Sequence, residues 1–333
     1  MINGKLYGST ITGIGMSVPA GILNNHDLEK MVDTSDEWIV QRTGMKERRI
    51  LEKDEPGFSL AVKASREALA DAGIKAEDVD LVIANTTTPD YLDPSLASIV
   101  QKDLDLDNAA AFDMNAACSG LPYAIVIAQQ FIKTGMYKNV LIVACEALSK
   151  AVDWKDRNTC VLFGDAAGAV VLSRSQSEDI LASDIGCVGK LGGAITIPCF
   201  YSTKEDRDAR PNGTLQTLWM DGGEVFKFAV SKMVYSIKKV VKSYDMSLDE
   251  IKLIVPHQAN IRIIEASVKR LKIDADRFYL NLEKYGNTSS ATIPVALYEA
   301  YKEGRLNKGD HVVLVGFGAG LTWGSVLIKW NKE

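Results

Sequence analysis

The sequence predicts an α/β protein with mixed, mostly parallel sheets, its fold written twice along the chain. Short runs rich in Val and Ile alternate with longer helical patterns, the arrangement expected of strands covered by helices. Similar segments return in the same order at a nearly constant spacing. The 333 residues, 47% hydrophobic and 24% charged, suit a globular protein with core enough for two ordinary units.

Taken in order, the strand-like runs are Thr10–Ile14, Leu81–Ala84, Val140–Ala144, Thr159–Phe163, Ala169–Leu172, Lys252–Val255, His311–Val315 and Ser325–Trp330. Helical patterns fall at Ser59–Ala72, Tyr123–Lys133, Val225–Ser243 and Thr292–Tyr301. Residues 75–85 resemble 247–257, 172 positions later, and 139–145 resemble 311–317 at the same distance. Residues 112–115 resemble 278–281 at an offset of 166. The polar stretch Ser173–Asp179 reads as the connection, giving halves 1–175 and 176–333. A second polar stretch, Ser202–Thr214, reads either as a functional loop or as a solvated excursion.

Several function classes are excluded at this level. No apolar run is long enough to span a bilayer. The mixed segment Met1–Met16 lacks the pattern of a secretion signal, so the expected location is cytoplasmic. The five cysteines are dispersed, without a C-x-x-C pair, and none of the three histidines is spaced i,i+4 with another, so neither a disulfide framework nor a metal site is expected. A net charge of −5 gives no general attraction to nucleic acid.

Cys118 stands four residues before Pro122, and proline is tolerated only in the first turn of a helix. The thiol is therefore expected at a helix N-terminus, where the dipole favours thiolate. The local pattern fits a nucleophile and a buried structural cysteine equally well. Cys145 and Cys160 read as core. His257 follows the run Leu253–Val255, at the carboxyl end of a strand, where ligands gather in α/β folds. His311 reads as structural or exposed, and His26 as a loop residue. Asn287, in Tyr285-Gly286-Asn287-Thr288-Ser289-Ser290, reads alone as a turn or helix cap. The Gly-rich segment Gly316–Gly324 invites a nicotinamide-dependent oxidoreductase reading, but only nine residues follow it and no helix, second strand and acidic residue fit there. A ligand-approaching turn between two strands suits it better.

Together, Cys118 in Ala-Ala-Cys-Ser-Gly, His257 in Pro-His-Gln-Ala-Asn and Asn287 in Tyr-Gly-Asn-Thr-Ser-Ser resemble the Cys-His-Asn triad of the β-ketoacyl-ACP synthase III family of thiolase-fold condensing enzymes. The segments 33–44, 163–169, 222–227 and 316–324 are similar to the same family, so the resemblance spans the chain. It implies a thiolase-like five-layer αβαβα fold. It also implies a decarboxylative condensation of an acyl-CoA with malonyl-ACP that starts fatty acid synthesis and needs no metal or other cofactor. Cys118 would carry the acyl group, and His257 and Asn287 would donate hydrogen bonds to the malonyl thioester oxygen. The backbone N–H groups of Cys118 and Ala319 would form the oxyanion hole.

By the same resemblance Trp38 and Arg157 would sandwich the adenine of CoA, Arg42 would hold its phosphates, and Gly222, Asn260 and Arg262 would line the pantetheine tunnel. Leu162, Phe163 and Phe317 would shape the acyl pocket. Asp93 stands where relatives carry an apolar residue that reaches the partner's acyl pocket in a homodimer. Arg262, Lys269, Arg270 and Lys272 would dock the acidic carrier protein, although Lys269, Arg270 and Lys272 suit an ordinary solvated face equally well. A starter-unit synthase of polyketide or quinolone-type metabolism keeps the same triad and is the alternative. A non-catalytic carrier-binding relative is disfavoured by the intact triad.

Overall fold

The computed structural model describes residues 6–199 and 217–333; the stretch Ser202–Thr214 lies outside the described residues. Among the described residues the strands are β1 (Gly8–Ser17), β2 (Gly21–Asn24), β3 (Glu47–Ile50), β4 (Leu81–Asn85), β5 (Ala110–Met114), β6 (Asn139–Ala147), β7 (Asp165–Ser175), β8 (Ile180–Cys187), β9 (Ile195–Thr196), β10 (Trp219–Met220), β11 (Leu253–Pro256), β12 (His311–Gly318) and β13 (Thr322–Lys329). One sheet has the order β1-β7-β6-β4-β5 and the other β8-β13-β12-β11, while β2-β3 and β9-β10 are small hairpin-like pairs.

The two main sheets are the same arrangement twice. β1, β4 and β6 begin 172 residues before β8, β11 and β12. Phe278, in the segment matched to β5, bridges Ile254 in parallel, so the second sheet keeps a trace of its fifth strand. The pairings β4–β5, β4–β6 and β11–β12 are parallel, whereas β1–β7, β6–β7, β12–β13 and β8–β13 are antiparallel. Within each sheet a single strand runs against the rest, β7 in the first and β13 in the second, so the sheets are mixed and mostly parallel in strand direction, as expected.

Burial on both faces explains why the inner strands read as unbroken apolar runs. In β6, Val140 and Ile142 pack inward against the helices Gly120–Lys133 and Thr292–Lys302, which lie between the sheets. Leu141 and Val143 face the outer helices Phe58–Ala72 and Leu96–Asp103. In β12, Val312 and Leu314 share the central layer, while Val313 and Val315 face the outer helices Gly222–Ser243 and Ile261–Leu271. The result is five layers: helix, sheet, helix, sheet, helix. One strand expectation fails: Thr159–Phe163 begins inside a helical turn, Arg157–Cys160, where Asp156 caps the turn by accepting the Asn158 N–H. Cys145 and Cys160 are buried as expected, and Cys187 and Cys199 are exposed.

Candidate active site

The central helices start at the carboxyl ends of the inner strands, and their first turns meet. Cys118 sits in a tight turn, Ala117–Ser119, that runs into the helix Gly120–Lys133, with Pro122 in its first turn. Ala117 takes a left-handed φ of 46°. Across from it, Ser289 takes a φ of 48° in the matching turn Ser289–Ala291, ahead of the helix Thr292–Lys302. β12 presses on the nucleophile turn from the side. A Cβ at Gly318 would lie 2.7 Å from the Cys118 nitrogen, and one at Gly316 would lie 2.6 Å from the Cys118 oxygen, so only glycine permits this approach.

A cavity of about 570 Å³ opens above these turns and is lined by Cys118, His257, Asn287, Ser289, Phe317 and Ala319, among others. The triad residues, drawn from three separate segments, therefore share one cavity. Leu162 and Phe163 line it, as do Trp38, Arg42, Gly222, Asn260 and Arg262. Asn260 also caps the helix Ile261–Leu271, its Oδ1 accepting the Arg262 N–H at 2.9 Å. The Gly-rich segment is the turn between antiparallel β12 and β13, which disposes of the dinucleotide reading.

Three expectations are modified. Arg157 does not line the cavity: its guanidinium lies over Trp38 at 5.3 Å from the ring centroid, and its Nη1 donates to the Asp33 carbonyl at 2.7 Å. A flat base between two such groups needs about 7 Å, so the stacking of Arg157 on Trp38 as it stands leaves no room for one. Arg42 lies 5.9 Å from the same ring. Asp93 lies outside the cavity of its own chain, on an exposed stretch with Tyr91 and Leu92. The thiol of Cys118 is not lowered as the helix dipole alone suggests. Burial pushes it up to about 12, with the Ser289 hydrogen bond opposing the rise and the Glu146 carboxylate adding to it. Lys269, Arg270 and Lys272 are exposed, on or just past the helix that starts beside Arg262.

The His257 imidazole is buried, and burial holds it down at about 3, so it is neutral at physiological pH. Its Nδ1 lies 2.7 Å from the Thr292 hydroxyl, which also stands 2.9 Å from the Ser289 carbonyl. The hydroxyl donates its one hydrogen to that carbonyl and so offers its oxygen to Nδ1–H; when the hydroxyl turns to Nδ1 instead, the ring hydrogen sits on Nε2, which then donates into the cavity. Phe317 packs edge-on at 5.2 Å between ring centroids and fixes the ring plane. Asn287 Oδ1 accepts the Ser289 N–H at 2.8 Å, which leaves its NH₂ as the free donor. The cavity therefore holds a thiol beside a neutral imidazole and a neutral amide donor. Such a set can accept an acyl group and stabilise an enolate without charged residues.

Sequence reasoning passed over Ser289, Thr292 and Glu146. The Cys118 thiol donates to Ser289 Oγ at 3.3 Å, and Ser289 donates to Glu146 Oε1 at 3.2 Å. A charged residue closing the apolar strand β6 is the signal that marks Glu146. For Ser289 and Thr292 it is the 172-residue offset, which also lays 115–122 over 287–294.

Comparison with known proteins decides the family. Residues 112–189 match the model of 3-oxoacyl-[acyl-carrier-protein] synthase III, and residues 241–330 match that of its C-terminal region. The Beta-ketoacyl-[acyl-carrier-protein] synthase III of Caldanaerobacter subterraneus subsp. tengcongensis is 51% identical over 97% of this chain and 98% of its own length. The chain belongs to the β-ketoacyl-ACP synthase III family. It is thus a thiolase-fold condensing enzyme, an acyltransferase. The crystal structure of the Aquifex aeolicus synthase III superposes with a TM-score of 0.90 at 45% identity, covering 97% of this chain and all of that one (100%). The priming β-ketosynthase of the R1128 polyketide biosynthetic pathway superposes with a TM-score of 0.92 at 33% identity, covering 98% of each chain. No helix among the described residues is long and apolar enough to cross a membrane.

Proposed function

We propose that this synthase condenses an acyl-CoA, acetyl-CoA or a similar starter, with malonyl-ACP to give 3-oxoacyl-ACP, and so starts fatty acid chains. The observation that carries this reading is the meeting of Cys118, His257 and Asn287 in one cavity. Cys118 attacks the acyl thioester and keeps the acyl group as a new thioester, the backbone N–H groups of Cys118 and Ala319 holding the oxyanion. Malonyl-ACP then loses CO₂, and the enolate oxygen is held by His257 Nε2–H and the Asn287 NH₂. The carbanion attacks the acyl carbonyl and frees Cys118. The sequence of steps requires no metal or redox cofactor, since CoA thioester and malonyl-ACP supply the carbon and the driving force.

The CoA adenine binds at Trp38 once Arg157 has moved, Arg42 holds the phosphates, and Gly222, Asn260 and Arg262 line the path of the pantetheine. Leu162, Phe163 and Phe317 shape the acyl end. Arg262, Lys269, Arg270 and Lys272 offer a basic face to the carrier protein. The enzyme acts in the cytoplasm as a homodimer, with Asp93 toward the partner, and its halves are 1–175 with the nucleophile and 176–333 with the histidine and asparagine. A second reading, a starter-unit synthase for a longer or aromatic acyl group, is supported by the likeness to the R1128 priming enzyme. Intact-mass measurement after incubation with acetyl-, branched, longer-chain and aromatic acyl-CoAs separates the two. One adduct is expected, on Cys118, and none on Cys118→Ala; absence of any adduct with every donor overturns both readings.

A further inference from the structure

The acylation step leaves one proton unplaced. A thiol held near 12 by burial must lose its hydrogen as sulfur attacks, and the group that takes it has to be close. The Cys118 thiol has one hydrogen-bond partner in its direction of donation, the hydroxyl of Ser289 at 3.3 Å. That hydroxyl is 3.2 Å from Glu146 Oε1. Glu146 is fully buried at the end of β6. Five donors surround its carboxylate: Ser289 and Ser290 at Oε1, and the N–H and hydroxyl of Thr87 and the hydroxyl of Thr88 at Oε2. Hydroxyls and a single N–H hold the charge here, with no cation in that set.

We propose that Glu146 is the terminal acceptor of the Cys118 proton during acylation, reached through the Ser289 hydroxyl; this rests on the reading of Cys118 as the acylated residue. Three features carry it. The chain has a direction, because Ser289 Oγ receives from the thiol and its own hydrogen points on to the carboxylate. The far oxygen is held by the Thr87 N–H, which can only donate, so the proton-accepting oxygen is the one facing Ser289. Burial costs a carboxylate several kcal/mol, and it also raises the group's proton affinity toward working pH, as suits a general base. The neighbouring thiol of Cys145 takes no part, since it donates to the Gly57 carbonyl at 3.3 Å.

The step balances. The S–H bond of Cys118 breaks as its sulfur bonds to the acyl carbon. Ser289 Oγ takes that proton and passes its own to Glu146 Oε1. When the tetrahedral intermediate collapses, the bond from carbon to the CoA sulfur breaks. Both sulfurs are attached to that one carbon, so the relay runs backwards and the departing thiolate leaves as CoA thiol. No proton is gained or lost overall.

The test uses Glu146→Gln in the full-length enzyme. The amide oxygen keeps the Thr87 and Thr88 bonds, and the amide NH₂ meets serine hydroxyls that rotate to accept. The shape is preserved while the chain loses its acceptor. Two rates are compared with wild type at about pH 8: acylation by acetyl-CoA, from intact mass, and alkylation of Cys118 by iodoacetamide. Removing the carboxylate charge lowers the thiol pKa, so alkylation should speed up by roughly tenfold. Loss of the base should slow acylation by about 10²-fold.

This opposite movement is the signature of the relay. Both rates rising makes Glu146 a purely electrostatic brake and overturns the proposal. Both falling, or neither changing, overturns it in favour of a structural role. Should Glu146→Gln fail to fold, Ser289→Ala decides, with about 10²-fold slower acylation expected and wild-type acylation rates overturning the relay. Wild-type enzyme that forms no adduct overturns the role of Cys118 itself, and the relay with it.

Discussion

The loops Asn115–Pro122 and Asn287–Pro294 are one turn built twice, 172 residues apart. Each opens with an asparagine whose Oδ1 accepts the N–H two residues on, at 3.1 Å in the first and 2.8 Å in the second. Each then places a non-glycine residue at a left-handed φ, Ala117 at 46° and Ser289 at 48°, and each has a proline in the first turn of the following helix. Their contributions nevertheless differ. Asn115 is exposed and its side chain does no more than shape the turn, whereas Asn287 is 7% exposed and lines the cavity. Cys118 stands where the second loop has Ser290, whose hydroxyl is given to Glu146. The preceding strands repeat the contrast, because Asn85 occupies the place of His257. Asn85 spends both ends of its amide on the Ala116 N–H and the Ala117 carbonyl, bracing the nucleophile turn. Identical backbone is thus used for support in one copy and for chemistry in the other, and what separates them is the side chain and whether it faces the cavity.

The sharpest way to break that comparison is to make the same change in both copies. Asn287→Ala should lower malonyl-ACP decarboxylation by about 10²–10³-fold, the usual cost of losing an oxyanion donor. Asn115→Ala removes the same turn bond from an exposed site and should leave the rate within about threefold, at a cost of about 1 kcal/mol of stability. Equal losses in a decarboxylation assay would mean that the turn, not the free NH₂, is what matters.

The paired positions His257 and Asn85 give a smaller, qualitatively different contrast. His257→Ala should still acquire the acyl group by intact mass yet fail in decarboxylation. Asn85→Ala leaves a buried N–H and carbonyl unpaired and should cost about 1–3 kcal/mol in denaturant unfolding, with acylation impaired through the loosened turn. If His257→Ala also loses acylation, the division of labour between the halves is wrong.

The smallest effect concerns pH. His257 is held neutral, its folded value lowered from 6.5 to about 3, so the unfolded chain takes up that proton first. Its contribution to stability is complete above pH 6.5 and is lost as pH falls toward 3, at up to about 1.4 kcal/mol per unit. Thermal melts of wild type and His257→Gln at pH 7 and pH 5 should converge at the lower value; parallel curves would show an imidazole that titrates normally.

Much of this arrangement was legible in the residues. The runs at β4, β6, β11 and β12 were visible because both of their faces are buried, and their spacing exposed the duplication. Strands β1, β7 and β13 were found only in part and β8 not at all, and the reversed direction of β7 and β13 went unread, since side-chain pattern carries burial and not polarity of the chain. Cys118, His257 and Asn287 were recognisable from their local words. Glu146 and Thr292 were not, because a buried carboxylate and a hydroxyl are defined by partners from distant segments. The protonation of Cys118 was misread for the same reason: the helix start is local, but the burial that outweighs it is tertiary.

The close approach of Gly318 to the backbone of Cys118 has a consequence in time as well as in space. The two residues are 200 positions apart, and Ser289 is 171 away. During synthesis the segment carrying the thiol leaves the ribosome long before the strand and the serine that complete its surroundings. Through that interval the thiol turn lacks both the strand that presses on it and the serine it donates to, so its surroundings are complete only once the second half has docked against the first.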